Sequence, residues 1–361
     1  MNNVFVIAEA GVNHNGCLER AIQLIDAAVA AGADAVKFQT FRSEAVISGF
    51  APKAEYQLAT TGGEESQLDM VRKLELDHAA HRQLLDHCKA RGILFLSTPF
   101  DVVSANFLVN DLAMPQVKIP SGEVTNAPFL LHLARLGLPV ILSTGMSTLG
   151  EVEEALGVLA YGMGAEEGLA PSRAAFRQAF LCERGQALLR ERVTLLHCTT
   201  EYPAPFAEVN LRAMDTLAAA FGLKVGFSDH TPGIAIPLAA VARGACVIEK
   251  HFTLDRNLPG PDHLASLEPT ELMAMVAGIR QVESALGHGR KVPAPSEIKN
   301  IAIARRSLVA ASAVALGDDW NADTLCCKRP GTGRSPFDYW SLLGKKANRT
   351  HVADEMIDDD A

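Results

Sequence analysis

The chain has 361 residues, 48% of them hydrophobic and 21% charged, with a formal net charge of −9. That length holds one large core and a smaller one, because single cores rarely grow past about 250–300 residues. The acidic balance argues against nucleic acid or an anionic membrane as partner, since both want a basic face, and no run of about 18 apolar residues offers a membrane span.

The N-terminus, "MNNVFVIAEAG", enters a strand pattern without a basic stretch, so no signal peptide is expected. Short apolar runs then predict strands at 4–9, 34–39, 93–98, 116–121, 139–144, 193–199, 224–230 and 246–252. Between them lie helical patterns such as "LERAIQLIDAAVAAG", "HAAHRQLLDHCKARG" and "IAIPLAAVARG", closed by the glycine that favours a left-handed stop. Apolar strands alternating with helices indicate a parallel sheet buried on both faces. Eight such units within residues 1–287 predict an α/β fold of the TIM (β/α)8 type. A doubly wound open sheet competes, but the first βα turn, "EAGVNHNG", lacks the GxGxxG dinucleotide fingerprint. Residues 160–191 make a long connection, read as a helical insertion on the surface. The seven cysteines show no CxxC spacing, which predicts reduced, packed thiols in a cytoplasmic protein; Cys326 and Cys327 are included, because vicinal cysteines pair only with strain. Residues 288–298 form a Pro-rich linker, and 299–361 a small, turn-rich β domain at the edge of folding alone. It is expected to pack on a barrel, its own or a partner's.

Barrel strands deliver their carboxyl ends to one mouth, and here those ends are polar: Glu9, Lys37 with Gln39, Thr98, Lys118 with Ser121 and Glu123, Ser143, His197, His230, and Glu249 with His251. His230 and His251 end adjacent strands, close enough to share a divalent transition metal and leave positions open for substrate. They read equally as buried histidines bonded to Asp229 and Glu249. Lys37 and Lys118, each between Val and an apolar residue, point inward; two ammonium groups in one mouth call for an anion between them, or else for a carboxylate partner such as Glu9 or Glu123. Thr98, Ser121 and Ser143 add hydroxyl donors. Together these describe a phosphate and carboxylate site. Glu9 is a candidate base. Asp262, in the Gly/Pro-rigid loop "RNLPGPDHLASLEP", is either a grip on substrate hydroxyls or a turn residue.

Taken in order, "AEAGVNHNG", "GADAVKFQTF", "APKAEYQ", "FLSTPFD", "KIPSGE", "ILSTGM", "GFSDHTPG", "IEKHFTLD", "GPDHLAS" and "KRPGTGRSP" resemble the sialic acid synthase family over nearly the whole chain. The resemblance implies a TIM barrel with a C-terminal antifreeze-protein-like (SAF) domain, assembled as a domain-swapped homodimer. It implies condensation of phosphoenolpyruvate with an open-chain N-acetylated hexosamine, a step of nonulosonic acid and surface polysaccharide biosynthesis. The metal would be divalent, typically Mn²⁺ with Mg²⁺ or Co²⁺ as alternatives, held by His230 and His251. Lys37, Thr98, Lys118, Ser121 and Ser228 would hold phosphoenolpyruvate, with Gln39 and Ser143 also in the substrate site. Glu9 would be the base, Glu123, Tyr202, Glu249 and Asp262 would contact sugar or metal-bound water, and Arg329 would reach across the dimer to the N-acyl group. Thr200 stands where some members carry Asn and is left out of the site. N-acetylmannosamine, giving N-acetylneuraminate, is the first reading of the acceptor. A 2,4-diacetamido-2,4,6-trideoxymannose, giving N,N′-diacetyllegionaminate, is the alternative. A pseudaminate synthase, an aldose-phosphate synthase and a non-catalytic sugar-binding relative rank lower.

Overall fold

Helix and strand alternate along the first 287 residues because the apolar period alternates. In Leu18–Ala31 the buried positions are Ala21, Leu24, Ile25, Ala28 and Ala31, the three-and-four spacing of one helix face, and Gly32 stops the helix at φ +76°. The strands that follow such helices are buried on both faces. In the computed structural model, which describes residues 3–164 and 169–358 but not the side chains of Tyr56, Ala59 and Thr60, eight strands form one parallel sheet. They are β1 (Phe5–Gly11), β2 (Ala35–Thr40), β3 (Leu94–Pro99), β4 (Val117–Ile119), β5 (Val140–Ser143), β6 (Val193–Cys198), β7 (Lys224–Asp229) and β8 (Val247–His251).

Strand β1 pairs with β2 on one side and β8 on the other, so the ends of the chain order meet and the sheet curls into a TIM barrel. The ladder order is β3-β2-β1-β8-β7-β6-β5-β4, which leaves one seam without a hydrogen-bonded ladder, between β3 and β4. At that seam the Ser97 amide donates to the Met114 sulfur at 3.3 Å. Strand β4 is shorter than the predicted 116–121 because Pro120 has no N–H for the ladder, and Ser121–Glu123 turns into a single 3₁₀ turn. Helices cover the outside of the ring, and the apolar core lies between the two layers.

The 160–191 connection holds two helices, Arg173–Leu181 and Glu183–Arg192, with residues 165–168 of it outside the described residues. The first packs on the helix Leu149–Gly162, where the Tyr161 and Phe176 rings meet edge to face at 5.2 Å. No helix among the described residues is long and apolar enough to cross a membrane.

The chain divides into two units, Met1–Gly287 and His288–Ala361. In the second, a helix starts at Pro295 and runs to Ala304, four residues inside the stretch predicted as linker. Proline at its first position costs no hydrogen bond, and the Glu297 carboxylate accepts from the Ala294 amide at 2.7 Å. Strands β9 (Ser307–Ala310) and β10 (Leu325–Lys328) then pair antiparallel. Leu308, Trp320, Leu325, Leu342 and Ile357 are among the residues of its separate core.

Candidate active site

Side chains two apart on a strand share a face. That period aims Lys37 with Gln39, Ser228 with His230, and Glu249 with His251 into the barrel's carboxyl-end mouth, where they line a cavity of about 370 Å³. Every residue predicted for the site lines this cavity except Glu123 and Arg329. The wall at β5 is built tightly. A Cβ on Gly145 would lie 2.4 Å from the Thr200 hydroxyl and 2.9 Å from both Cys198 Sγ and Ser121 Oγ, so only glycine fits.

Four charges of alternating sign meet at the floor. Lys37 Nζ lies 2.7 Å from Glu9 Oε2 and 3.6 Å from Glu249 Oε2, and donates to Thr98 Oγ1 at 2.9 Å. Lys118 Nζ donates to Glu249 Oε1 at 3.0 Å, and Ser228 donates to the same oxygen at 3.0 Å. The lysines are therefore partnered by Glu9 and Glu249, not by Glu123. Burial pushes Glu249 up, but the Lys118 and Lys37 ammonium groups outweigh it and hold its carboxylate well below the usual range. Glu9 goes the other way: burial, only partly opposed by Lys37 and reinforced by Glu249, pushes it up to about 7. Two neighbouring carboxyls driven apart in this manner are suited to different tasks, one a fixed anion and one a proton carrier.

His230 and His251 face each other across the mouth with ring centroids 5.5 Å apart, and Tyr202 lies 4.2 Å from the His230 ring. His230 Nδ1 donates to the Thr199 carbonyl at 2.5 Å, which fixes the tautomer and leaves Nε2 as a lone-pair donor. His251 Nδ1 is buried and has no hydrogen-bond partner among the described residues; its nearest carboxylate oxygen is Asp262 Oδ2 at 3.9 Å. Burial lowers His230 to about 4 and takes His251 well below its ordinary value, so both imidazoles are neutral, as metal ligation requires. Burial also pushes Asp262 up to about 6. Among the described residues no trio of His, Cys, Asp or Glu converges closely enough to hold an ion unaided. His230 Nε2 and the buried His251 Nδ1, unpartnered among the described residues, are two neutral imidazole donors that a divalent ion would fit.

The sequence matches the NeuB family over residues 24–291, most of the chain. The chain belongs to the NeuB family. It is 52% identical to the N,N′-diacetyllegionaminic acid synthase of Campylobacter jejuni, over 99% of both chains. It is 43% identical to the N,N′-diacetyllegionaminic acid synthase of Legionella pneumophila, over 95% of this chain and 90% of that one. Among solved structures it resembles the N-acetylneuraminic acid synthetase of Leptospira borgpetersenii, with a TM-score of 0.67 and 34% identity over 83% of this chain and 90% of that chain. With these synthases among its relatives, this NeuB chain is an enzyme of the transferase type.

Several expectations change on the NeuB barrel. Glu123 sits in the 3₁₀ turn after β4, where its carboxylate accepts from Asn126 at 2.6 Å instead of entering the cavity. His197 turns to the helix side and donates from Nε2 to the Val209 carbonyl at 2.7 Å, which leaves Cys198 as the β6 residue facing inward. Asp229 and Glu249 do not hold the imidazoles: Asp229 pairs with Lys250 at 2.6 Å on the outer face, and Glu249 is taken by Lys118 and Ser228. Thr200 belongs to the cavity, with its hydroxyl buried and unpartnered among the described residues, as is that of Ser143. Arg329 lies in the second unit, exposed, and donates from Nε to the Ala304 carbonyl at 3.0 Å. All seven cysteines are free.

Proposed function

We propose that this NeuB-family enzyme condenses phosphoenolpyruvate with open-chain 2,4-diacetamido-2,4,6-trideoxymannose and water, giving N,N′-diacetyllegionaminate and phosphate. The acceptor reading moves from N-acetylmannosamine to the diacetamido sugar because the Campylobacter and Legionella relatives, at 52% and 43% identity, are both N,N′-diacetyllegionaminic acid synthases. The observation that carries the donor half is the floor of the cavity: Lys37 and Lys118 with Thr98, Ser121, Ser143 and Ser228 around them form a cradle for a phosphate and a carboxylate.

At the floor Glu249 lies between the two ammonium groups, 3.6 Å from Lys37 Nζ and 3.0 Å from Lys118 Nζ, and holds them in place. Phosphoenolpyruvate entering above it meets two cations, and hydroxyl donors orient its phosphate and carboxylate. Its C3 then attacks C1 of the acceptor aldehyde, forming the new C–C bond and leaving positive charge at C2. Water adds at C2, with Glu9 taking its proton; a carboxyl poised near 7 can both accept and return one. The C2–O bond to phosphate then breaks, phosphate leaving with the electron pair; the added hydroxyl gives up its proton and becomes the keto oxygen, while the alkoxide formed from the aldehyde takes back the proton held by Glu9. His230 and His251 would hold a divalent metal, Mn²⁺ by the family resemblance, and that ion supplies Lewis-acid polarisation of the aldehyde oxygen. Tyr202 and Asp262 lie beside the histidines as contacts for sugar hydroxyls.

The same reading makes the second unit an SAF domain that caps a partner's barrel in a domain-swapped homodimer in the cytoplasm, with Arg329 on the acceptor's N-acyl group. Exposed apolar side chains support it: Phe50, Met146, Phe206 and Leu264 follow β2, β5, β6 and β8 on the mouth side of the barrel unit, and Phe337 and Trp340 stand out on the second unit. Mass measurement in solution and an Arg329→Ala variant test this part. A monomer, or equal effects on donor and acceptor KM, overturns it. The central test is phosphate release from phosphoenolpyruvate with Mn²⁺ and, in turn, N-acetylmannosamine, 2,4-diacetamido-2,4,6-trideoxymannose and its altrose-configured isomer. The diacetamido mannose is expected to react fastest; a preference for N-acetylmannosamine overturns the acceptor assignment.

A further inference from the structure

The cavity has two unlike sides. Besides the charged floor, the segment between β2 and β3 supplies Phe41, Val46, Ile47, Met70, Val71 and Leu74 to its lining. Phe41 and Leu74 form a small apolar cluster of their own with Val12, separate from the barrel core, and Val71 and Phe100 pack on it. Two amides, Gln57 and Gln67, also line this side, but they bond to each other: Gln67 Nε2 donates to Gln57 Oε1 at 3.1 Å, and that oxygen also accepts from the Ala54 amide at 3.0 Å. None of the segment's described charged residues lines the cavity; Arg72, for one, pairs with Glu44 and Asp69 at the surface. Among the described side chains, a ligand on this side meets mostly methyl and methylene groups, with the Gln57–Gln67 pair as the polar part of the wall.

We infer that this wall is the specificity element of the acceptor site, and that it takes the apolar substituents of a 6-deoxy, N-acylated hexose: the C6 methyl and an acetyl methyl. The inference rests on the acceptor reading above and assigns it to residues. A C6 hydroxyl placed against Val46, Ile47, Met70 or Val71 would lose its water without gaining a partner there, whereas a methyl gains by burial. An apolar pocket separates such isosteres by roughly a hundredfold.

The experiment uses the full-length enzyme with Mn²⁺ and saturating phosphoenolpyruvate, comparing 2,4-diacetamido-2,4,6-trideoxymannose with N-acetylmannosamine. Val46→Thr conserves shape at a residue 38% exposed, so folding is not at stake; Met70→Gln tests a buried part of the wall. The wild type is expected to favour the 6-deoxy acceptor in kcat/KM, and each variant to cut that preference about five- to tenfold through acceptor KM, leaving phosphoenolpyruvate KM unmoved. A wild type that favours the 6-deoxy acceptor, with the preference intact in both variants or both sugars impaired equally, overturns the wall while the acceptor reading stands. A wild type that favours N-acetylmannosamine overturns both.

Discussion

Strands β7 and β8 carry buried ion pairs on both faces, and the two sets behave differently. On the outer face Lys250 and Asp229 are fully buried at 2.6 Å, and each is tied further: Lys250 to the Thr231 carbonyl, Asp229 to the Thr231 amide and hydroxyl. One residue along each strand, Glu249 and Ser228 turn inward to Lys118 and Lys37. The outer pair has no space beside it for a ligand. The inner set borders the cavity, so its charges can exchange a protein partner for a substrate. Burial is nearly equal on the two faces; what separates structure from chemistry is access to the cavity.

Five substitutions test that contrast, beginning with the strongest. His251→Ala removes one of the two imidazoles that line the cavity among the described residues and is expected to lower metal-dependent turnover about a thousandfold or more; a variant that stays active in EDTA overturns the metal assignment. Lys250→Met strands the Asp229 carboxylate and is expected to destabilise the barrel by about 3–5 kcal/mol in thermal or urea unfolding. Adding Asp229→Asn should restore most of that loss, and failure to do so would mean the outer pair is not the cause. Lys118→Ala, on the inner face, is expected to raise the KM for phosphoenolpyruvate roughly ten- to a hundredfold, the worth of one charge-assisted hydrogen bond of about 1.5–3 kcal/mol. Its stability should fall by less than that of Lys250→Met, because water reaches the group it abandons. Last, because Glu9 must be ionised to take a proton and burial raises it to about 7, kcat should fall about tenfold per pH unit below that value. Glu9→Gln should be slow and should lose this acid limb; an unchanged profile assigns the limb elsewhere.

Much of this was legible in the sequence. The eight strands follow from apolar runs set off by turn residues, and the mouth follows from their polar ends. His230, His251, Lys37 and Lys118 could be found because ionisable groups in a core strand need a reason. Phase was harder. In "VTLLHCT" nothing local tells whether His197 or Cys198 faces inward; the barrel's closure decides it, and the histidine turns out. In "FSDH" and "VIEKH" the charges on opposite faces look alike in one dimension, so the sequence leaves Asp229 open as a partner of the imidazoles. Glu123 failed for a different reason: Pro120 ends β4 early, and the turn that follows swings the carboxylate toward Asn126. The apolar wall was hidden because it comes from short helices in a single loop whose common direction appears only when the chain is folded. Thr200 falls one residue past the predicted strand 193–199, and only the resemblance leaves it out of the site.

The seam in the ring carries one more consequence. Thr98 stands on β3 and Lys118 on β4, the two lips that no backbone ladder joins. A dianion gripped from both lips would splint the gap, so the donor substrate would stiffen the barrel it reacts in. Amide hydrogen exchange along Val117–Ile119 should slow when phosphoenolpyruvate binds, with β1 and β8, already laced on both flanks, scarcely changing.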